Sequence, residues 1–381
     1  MAKGKSKEVE EEISTEDSST KIKLSKNASI MEKLCAKYGQ GSIKKASSFE
    51  KVSEVTPTGS VLLDRAIGIG GIPKSGKITQ IIAPESVGKT TLALSIIANE
   101  QKKGNPCLFL DIEGTLDLKY AQSLGVNLDL LYVVDPIKLK KKEVSGEEWL
   151  LICADAMASN EFGLIVLDSV AALTPRAELE DEWNNTMGKL SRMLSQGFRT
   201  ITTKSFNSKS GLILINQLRN VIGNMFNPTT EAGGNSLKYY TSLKIELSRT
   251  TDRDTSTKKI LGHTIKARIT KNKLALPYGV AEFYVPLGKG ISEAFEIKTL
   301  ALEMGIITKE KNTYSFNDLK RAVGEANLVI ALEEDRKFFE EVKELVVEQL
   351  NNKEVEIITP KEISLIEIAE GIAEELNEDS E

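Results

Sequence analysis

The sequence predicts an α/β fold in which a mostly parallel sheet is flanked by helices, and two observations support this. First, four largely apolar runs occur at residues 78–82, 107–110, 163–167 and 212–215, as expected of parallel strands buried on both faces. Second, each run leads into residues suited to phosphate or water chemistry. The carboxyl ends of parallel strands meet at one edge of a sheet, so we expect a single functional edge.

The first run leads into the segment APESVGKT at residues 83–90, and a helix-like run follows at residues 91–99. This strand-to-helix context is typical of a phosphate-binding loop, in which backbone N–H groups point at nucleotide phosphates. Lys89 would reach the β- and γ-phosphates, and the Thr90 hydroxyl would bind Mg²⁺. ATP and Mg²⁺ are therefore the expected ligands, with an ordinary helix start as the alternative. The residues expected to contact the nucleotide are Pro84, Glu85, Ser86, Val87, Gly88, Lys89, Thr90 and Thr91.

The phosphate loop departs from the usual pattern at its first position. The motif opens with Gly, whereas this chain has Ala83 there. If the backbone at this position needs a positive φ, Ala strains it by about 1 kcal/mol and weakens the site. If φ is negative, there is no such strain.

Polar residues after the other three runs are candidates for the chemistry. Asp168 follows the run at residues 163–167 and is the expected Walker B residue, which supports a bound metal. Glu113 follows the run at 107–110 and is the candidate general base that activates water. Gln217 follows the run at 212–215, where its amide would sense a γ-phosphate through hydrogen bonds. Strand-end capping or simple solvation is the alternative for Glu113 and Gln217.

Further short motifs accompany these features in a fixed order along the chain. They are TGS at 58–60, GGIP at 70–73, PES at 84–86, DSVAALTP at 168–175 and KNK at 271–273. In this combination the chain resembles the RecA family of homologous recombinases over about residues 28–350. The resemblance implies a RecA-type P-loop ATPase core. It also implies ATP-dependent polymerisation on single-stranded DNA, homology search and strand exchange.

The resemblance assigns roles to further residues. Asp117 and Tyr120 match the adenine end of the family's nucleotide site, where Tyr120 would stack on the base. Lys271 and Lys273 match lysines that reach the γ-phosphate of a neighbouring subunit, so the ATP site would be shared between subunits. Alternation along a strand places both lysines on one face. Gln217 would couple the γ-phosphate to a DNA-binding loop.

Charge is unevenly distributed, and the distribution bears on nucleic-acid binding. The net charge is −5, yet residues 186–273 carry sixteen Lys and Arg against four Asp and Glu. Such a segment is a candidate contact for phosphate backbones, although solvated strand and helix faces would give the same count. Within it, the stretch 218–235 is long for a loop and carries apolar residues suited to wedging between bases. Packing of this loop on its own core is the alternative.

The resemblance makes the stretch 218–235 the second of two DNA-binding loops. The first corresponds to residues 180–187, where Trp183 and Thr186 depart from the best-known bacterial pattern. A helix follows on which three implied DNA contacts, spaced by three and four residues, share one face. The implied DNA-binding residues are Met187, Arg192, Ser195, Arg199, Arg219, Ile222, Met225, Phe226, Gly233, Gly234 and Asn235.

Composition narrows the classes of protein to consider. The 381 residues, 40% of them hydrophobic, suffice for one α/β core and a smaller lobe. No apolar run approaches the roughly 18 residues of a membrane helix, and residues 1–27 lack the apolar stretch of a secretory signal. Three scattered cysteines and a single histidine, His263, offer no zinc ligand set. We expect a cytoplasmic protein with no membrane partner.

Five regions follow from this order of segments. They are a disordered charged tail at 1–27, an N-terminal helix for filament packing at 28–51, the ATPase and DNA-binding core at 52–289, a small C-terminal α/β lobe at 290–352 and an acidic tail at 353–381. Asn27 is the expected cap of the first helix, which runs to about Tyr38. A helix over 335–351 closes the lobe. Apolar residues at helical spacing from Ile363 to Leu376 leave a partner helix as the alternative to a loose tail.

We therefore predict an ATP-dependent recombinase that polymerises on single-stranded DNA as a helical filament. It would pair that strand with double-stranded DNA and hydrolyse ATP under DNA stimulation. A loader or single-strand-binding protein is a further candidate partner. Two alternatives remain: a hexameric helicase-like motor on the same core, and a DNA-binding scaffold gated by ATP. Glu113 argues against the scaffold.

Overall fold

The computed structural model describes most of the chain between residues 10 and 354. The described ranges are 10–13, 22–25, 29–45, 54–139, 144–180, 188–220, 229–234, 236–254 and 257–354. The chain divides into two units, Met1–Ser53 and Glu54–Glu381.

The first unit contains two short strands and one helix in its described residues. Strands β1 (Glu10–Ile13) and β2 (Ile22–Ser25) pair antiparallel within the segment for which the sequence predicts a disordered tail. Helix α1 (Ile30–Tyr38) ends where we expect it to end. Its cap is Ser29, whose side chain accepts from the Glu32 N–H, while the Glu32 carboxylate accepts from the Ser29 N–H. This reciprocal pair satisfies two N–H groups at the helix start. The expected cap, Asn27, lies outside the described residues.

The second unit is built on one large sheet with helices on both faces. The strands of this unit up to residue 286, of which all but β3 and β4 belong to the large sheet, are β3 (Val55–Thr56), β4 (Ile72–Pro73), β5 (Ile78–Ala83), β6 (Cys107–Asp111), β7 (Leu131–Val133), β8 (Leu164–Asp168), β9 (Gly211–Asn220), β10 (Thr229–Glu231), β11 (Leu243–Arg253), β12 (Ile260–Asn272) and β13 (Val280–Pro286). The helices that accompany them are α2 (Val61–Ile67), α3 (Lys89–Gln101), α4 (Leu118–Ser123), α5 (Gly146–Ser159), α6 (Arg176–Glu180), α7 (Lys189–Lys204) and α8 (Ser236–Tyr240).

The strand order of this sheet is β13-β12-β11-β5-β9-β8-β6-β7, and β10 pairs with the outer end of β9. All neighbours from β11 to β7 are parallel, whereas β11, β12 and β13 form an antiparallel extension. The prediction of a mostly parallel sheet is therefore confirmed. Parallelism brings the carboxyl ends of β5, β6, β8 and β9 to one edge.

The core lies on both faces of the sheet, because alternate residues of its central strands point to opposite sides. In β8, Leu164 and Val166 pack with the cluster under α3, whereas Ile165 and Leu167 pack with the cluster under α5 and α7. All four are completely buried. Burial on both faces explains why these runs are apolar without interruption.

The end of the described chain forms a small helix-and-sheet lobe. Its elements are α9 (Glu293–Glu303), β14 (Thr308–Glu310), β15 (Thr313–Phe316), β16 (Leu319–Val323), α10 (Glu325–Glu334) and α11 (Arg336–Glu354). The three strands form an antiparallel sheet, and its Phe316 packs on Phe338 of α11 at 5.5 Å between ring centroids. Helix α11 starts after Asp335, which accepts from the Phe338 N–H, as the predicted helix over 335–351 requires. Among the described helices, none has the length and apolarity needed to cross a membrane.

Candidate nucleotide site and nucleic-acid interface

The phosphate loop joins β5 to α3, as the sequence predicts. Its left-handed residues are Ser86, at φ +58, and Gly88, at φ +105. The conformation of Gly88 favours glycine, and an added Cβ there would also lie 3.0 Å from Ile265 Cδ1, a tight contact. Ala83 is the last residue of β5, is completely buried and has no positive φ. The strain considered for Ala83 is therefore absent, because the left-handed positions of this loop fall later.

Lys89 and Thr90 open α3 and turn toward the loop and the end of β8. The Lys89 ammonium donates to the carbonyls of Pro84 at 2.7 Å and Ala83 at 3.3 Å. Burial holds the Lys89 pKa below its ordinary value, and nearby carboxylates, Asp168 foremost, act in the opposite direction. Thr90 Oγ1 donates to Asp168 Oδ2 at 2.8 Å. Burial raises the pKa of Asp168 to about 6, despite the Thr90 hydrogen bond.

Glu113 and Gln217 meet at the same edge of the sheet. Ser169 Oγ donates to Glu113 Oε1, and Gln217 Nε2 donates to the same oxygen at 3.4 Å. The turn that carries Glu113 is held by Asp111, whose carboxylate accepts from the N–H groups of Thr115 and Leu116 at 3.1 and 3.0 Å. An acceptor carboxylate on a fixed turn, next to a neutral amide, is suited to orienting and deprotonating a water molecule.

A cavity of about 410 Å³ opens beside the phosphate loop. Tyr120 lies in its wall, and its hydroxyl is 3.1 Å from Thr91 Oγ1. Asp117 caps α4 by accepting from the backbone N–H groups of Lys119 and Tyr120, which holds the start of the helix that carries Tyr120. These positions suit the adenine end of a nucleotide.

The opposite wall of this cavity contains residues that the sequence reasoning missed. Arg249 of β11 donates to the Ser86 carbonyl in the phosphate loop. His263 of β12 lies with its Nδ1 3.2 Å from Thr251 Oγ1, and burial followed by Arg249 keeps its pKa below the ordinary value. Residues 286–288, at the end of β13 and just beyond it, also line the cavity. No motif marks these residues; for Arg249 and His263 the only signal was their place on polar, alternating strands of the basic segment.

Lys271, near the end of β12, and Lys273, the first residue after that strand, both reach toward α8, as expected of residues two apart on one face. The Lys271 ammonium donates to the Lys238 carbonyl, and the Lys273 ammonium donates to the Tyr239 carbonyl at 2.9 Å. Both acceptors belong to α8, so the lysines hold the helix that follows the stretch 218–235. Burial, then Lys273 and Lys244, lower the pKa of Lys271.

Helix α7 presents the three implied DNA contacts away from the core. Arg192 and Arg199 are exposed and Ser195 is half-buried. The opposite side of the helix is buried in the core through Met193, Leu194, Phe198 and Ile201. The arrangement leaves a cationic face free for phosphates.

The stem of the second loop packs against α7. Strand β10 pairs with the end of β9, with Thr230 opposite Arg219. An added Cβ on Gly233, which has φ +91, would clash with Leu194 of α7, and one on Gly234 would lie 3.4 Å from Ser191 Oγ. Of the predicted contacts, Met187, Ile222, Met225, Phe226 and Asn235 lie outside the described residues, as does the side chain of Arg219.

Comparison with known proteins bears on the whole of this site. The family profile described as the RecA N-terminal domain matches residues 24–292. The chain is 41% identical over 335 residues to Protein RecA of Bacteroides thetaiotaomicron, covering 87% of this chain and 98% of that protein. It is 39% identical over 348 residues to Protein RecA of Porphyromonas gingivalis, covering 90% and 99%. Protein RecA of Aquifex aeolicus is 40% identical over 316 residues, covering 82% and 89%.

Proposed function

This chain belongs to the RecA family, and on that premise we propose how its residues carry out the family's reaction. The protein is a homologous recombinase and a DNA-dependent ATPase, which binds nucleotide and DNA and associates with itself into filaments.

The nucleotide is ATP, held by residues 84–91 with Tyr120 and Asp117 at its adenine end. Lys89, whose ammonium now lies on two loop carbonyls, would move onto the β- and γ-phosphates. The Thr90 hydroxyl and the buried Asp168 carboxylate, 2.8 Å apart, are oxygen ligands of the kind that Mg²⁺ prefers, so they fit this ion directly or through water. Bound Mg²⁺ supplies charge neutralisation on the phosphates.

Glu113 is the general base. Its Oε1 already accepts from Ser169 and Gln217, and a water molecule positioned there would lose its proton to the carboxylate as it attacks the γ-phosphate. The Gln217 side chain is a neutral amide, so it responds to the γ-phosphate through hydrogen bonds and not by titrating. It would report the presence of the γ-phosphate by changing its hydrogen-bond partner. Because it is the residue before Leu218, that change is passed to the second loop.

DNA lies along α7 and the stretch 218–235. Arg192, Ser195 and Arg199 would contact phosphates, and these contacts are insensitive to sequence. Arg219 and the apolar residues Ile222, Met225 and Phe226 would reach the bases, while Gly233, Gly234 and Asn235 allow close approach of the backbone. Single-stranded DNA binds first and double-stranded DNA is the second partner.

The filament completes the ATP site. Lys271 and Lys273 would act on the nucleotide of the adjoining subunit, leaving their α8 carbonyls to do so. Two cations at a γ-phosphate stabilise the charge that develops in the transition state. We assign residues 28–51 to the contact between subunits and residues 290–352 to an accessory lobe. The proposed location of the protein is the cytoplasm. A loader or single-strand-binding protein is the proposed assembly partner.

One observation supports this function above the others: Lys89, the Thr90–Asp168 pair and the Glu113–Gln217 pair converge at one edge of the sheet. The test is ATP hydrolysis with and without single-stranded DNA, alongside electron microscopy of the protein on long single strands. Glu113→Gln keeps the shape of the side chain and removes the base. It should bind ATP and DNA, form persistent filaments and lose most hydrolysis.

The matched control is Glu161→Gln, because Glu161 is exposed and precedes the amino end of β8, away from the site. This variant should hydrolyse ATP at the parent rate. Undiminished turnover in Glu113→Gln would place the base elsewhere. Directional unwinding of a forked duplex without polymerisation would favour the helicase-like motor, and DNA binding without any turnover would favour the scaffold.

A further inference from the structure

A buried carboxylate, Glu231, sits at the base of the second loop and is assigned no role above. Glu231 is the last residue of β10 and lies opposite Leu218 of β9, so it closes the stem of the loop one residue beyond Gln217. Its side chain is 8% exposed. Burying a carboxylate is costly unless it is paired, so its partners show what it holds in place.

The partners come from two other strands. Glu231 Oε2 accepts from Gln80 Nε2 of β5 at 2.9 Å and lies 3.2 Å from Lys244 Nζ of β11. Gln80 and Lys244 are register neighbours in the sheet, so the carboxylate bridges two strands of the core to the loop stem. Glu231 Oε1 accepts no hydrogen bond from any residue that the structure describes. One oxygen is therefore fully used, and the other remains available to a further donor.

The bridge adjoins the lysine pair. Lys244 is the register neighbour of Lys271 in the β11–β12 pairing. Lys244 lowers the pKa of Lys271, and Glu231 raises it, so the three charges influence one another across the sheet. Glu231 is the anion in a row of cations formed by Lys244, Lys271 and Lys273.

The stem of the second loop and the helix α8 that follows it are thus both held by this group of lysines. Glu231 ties the stem to Lys244, while Lys271 and Lys273 hold the carbonyls of α8, which begins at Ser236. A displacement of the stem by bound DNA would move the Glu231 carboxylate away from Lys244. The change in charge beside Lys271 would then favour its release from α8.

We propose that Glu231 is a positioning residue that couples occupancy of the second loop to the position of Lys271 and Lys273. The inference rests on the proposed function, because it assumes that this loop binds DNA and that the lysines act on a neighbour's nucleotide. Although Glu231 belongs to the stretch 218–235, its carboxylate is buried against Gln80 and Lys244, so we assign it no contact with DNA or nucleotide. Its removal changes how strongly DNA stimulates hydrolysis and leaves the nucleotide site intact.

The test uses the full-length protein and measures steady-state ATP hydrolysis with and without a poly(dT) oligonucleotide. In Glu231→Gln, DNA-stimulated kcat should fall about tenfold, while KM for ATP and the DNA-free rate stay unchanged. The matched control is Glu282→Gln, which removes a Lys–Glu pair between neighbouring strands at the surface, 3.3 Å from Lys266. It should be stimulated like the parent.

A second variant separates coupling from stability. Combining Glu231→Gln with Gln80→Glu keeps a carboxylate beside Lys244 but moves it from the loop stem to β5. Thermal stability should return to the parent value, whereas DNA stimulation should stay low, because the ion pair then lies within the core sheet. The double variant also carries the test if Glu231→Gln fails to fold.

Parent-like stimulation in Glu231→Gln, or recovery of stimulation in the double variant, would overturn the inference. If the unaltered protein shows no stimulation by DNA, the proposed function itself fails. The two failures are therefore distinguishable.

Discussion

Glu296 of α9 should make the free energy of unfolding of this protein depend on pH. It is 3% exposed, accepts from the Ser60 hydroxyl and accepts from the Val61 N–H at 2.7 Å, at the start of α2. Burial raises its pKa from 4.5 to about 7, although both hydrogen bonds act in the opposite direction. Burial likewise raises the pKa of the neighbouring Asp64 to about 6.

Proton linkage gives the direction in which the free energy of unfolding changes with pH. Between pH 4.5 and 7 the folded protein keeps the Glu296 proton that the unfolded chain has lost, so stability falls as pH rises. The contribution is complete below the unfolded pKa and is lost as pH passes through the folded one. A shift from 4.5 to about 7, at about 1.4 kcal/mol per unit, is about 3 kcal/mol, of which about 2–3 kcal/mol is lost between pH 5 and pH 8.

The measurement is urea unfolding of the parent and of Glu296→Gln at pH 5, 6, 7 and 8 without nucleotide. Because the amide does not titrate, the variant should gain about 2–3 kcal/mol relative to the parent across this range. The control is Glu303→Gln, which removes the exposed pair with Arg65 at 2.8 Å between the same two helices. An exposed pair is worth at most about 1 kcal/mol, so this variant should stay within about 1 kcal/mol of the parent at each pH. Parallel curves for the parent and Glu296→Gln would refute the argument.

Three further predictions follow. Ala83→Gly should lower the free energy of unfolding by about 1 kcal/mol without tightening ATP binding, because Ala83 is buried at a strand end without strain. A nucleotide titration that shows tighter ATP binding by the variant would contradict this. Lys271→Ala with Lys273→Ala should leave ATP binding by isolated subunits intact but suppress DNA-stimulated hydrolysis, and parent-like stimulation would make both mere surface residues. Deleting residues 361–381, which carry eight acidic residues and one lysine, should speed filament assembly on duplex DNA at low salt and less so at high salt; unchanged or slower assembly would refute competition by the tail.

The shared edge of the sheet was predictable because it depends on two local properties. Apolar runs mark buried parallel strands, and the residue type after each run is visible in the sequence. Asp168, Glu113 and Gln217 are far apart in the chain, yet parallel pairing brings the ends of β8, β6 and β9 together. Thr90, at the start of α3, then falls within reach of Asp168.

Contacts that depend on register across antiparallel strands were not predictable in this way. Arg249 and His263 line the cavity beside the phosphate loop, and the register that places them there follows an irregularity between Lys244 and Ile245 in the pairing of β11 with β12. A shift of one residue would turn every later side chain to the opposite face. Pairing of β1 with β2 likewise depends on partners nine or more residues apart, which a charged composition does not reveal.

Strand β9 gives a physical reason why nucleotide and DNA should influence each other. Its residues up to Gln217 pair with β5, where Ala83 lies opposite Gln217, and its last three residues pair with β10. The strand therefore runs from the nucleotide edge into the loop stem without a break, and hydrogen bonds hold it on both stretches. A displacement of the backbone at Gln217 would therefore act directly on Leu218, the first residue of β9 that pairs with the loop stem. Binding coupling is reciprocal, so if DNA raises the affinity for ATP by some factor, ATP must raise the affinity for DNA by the same factor. Equal DNA affinity with and without ATP, in a protein whose ATP affinity responds to DNA, is thermodynamically excluded. Independence in both directions would mean that β9 does not carry the coupling.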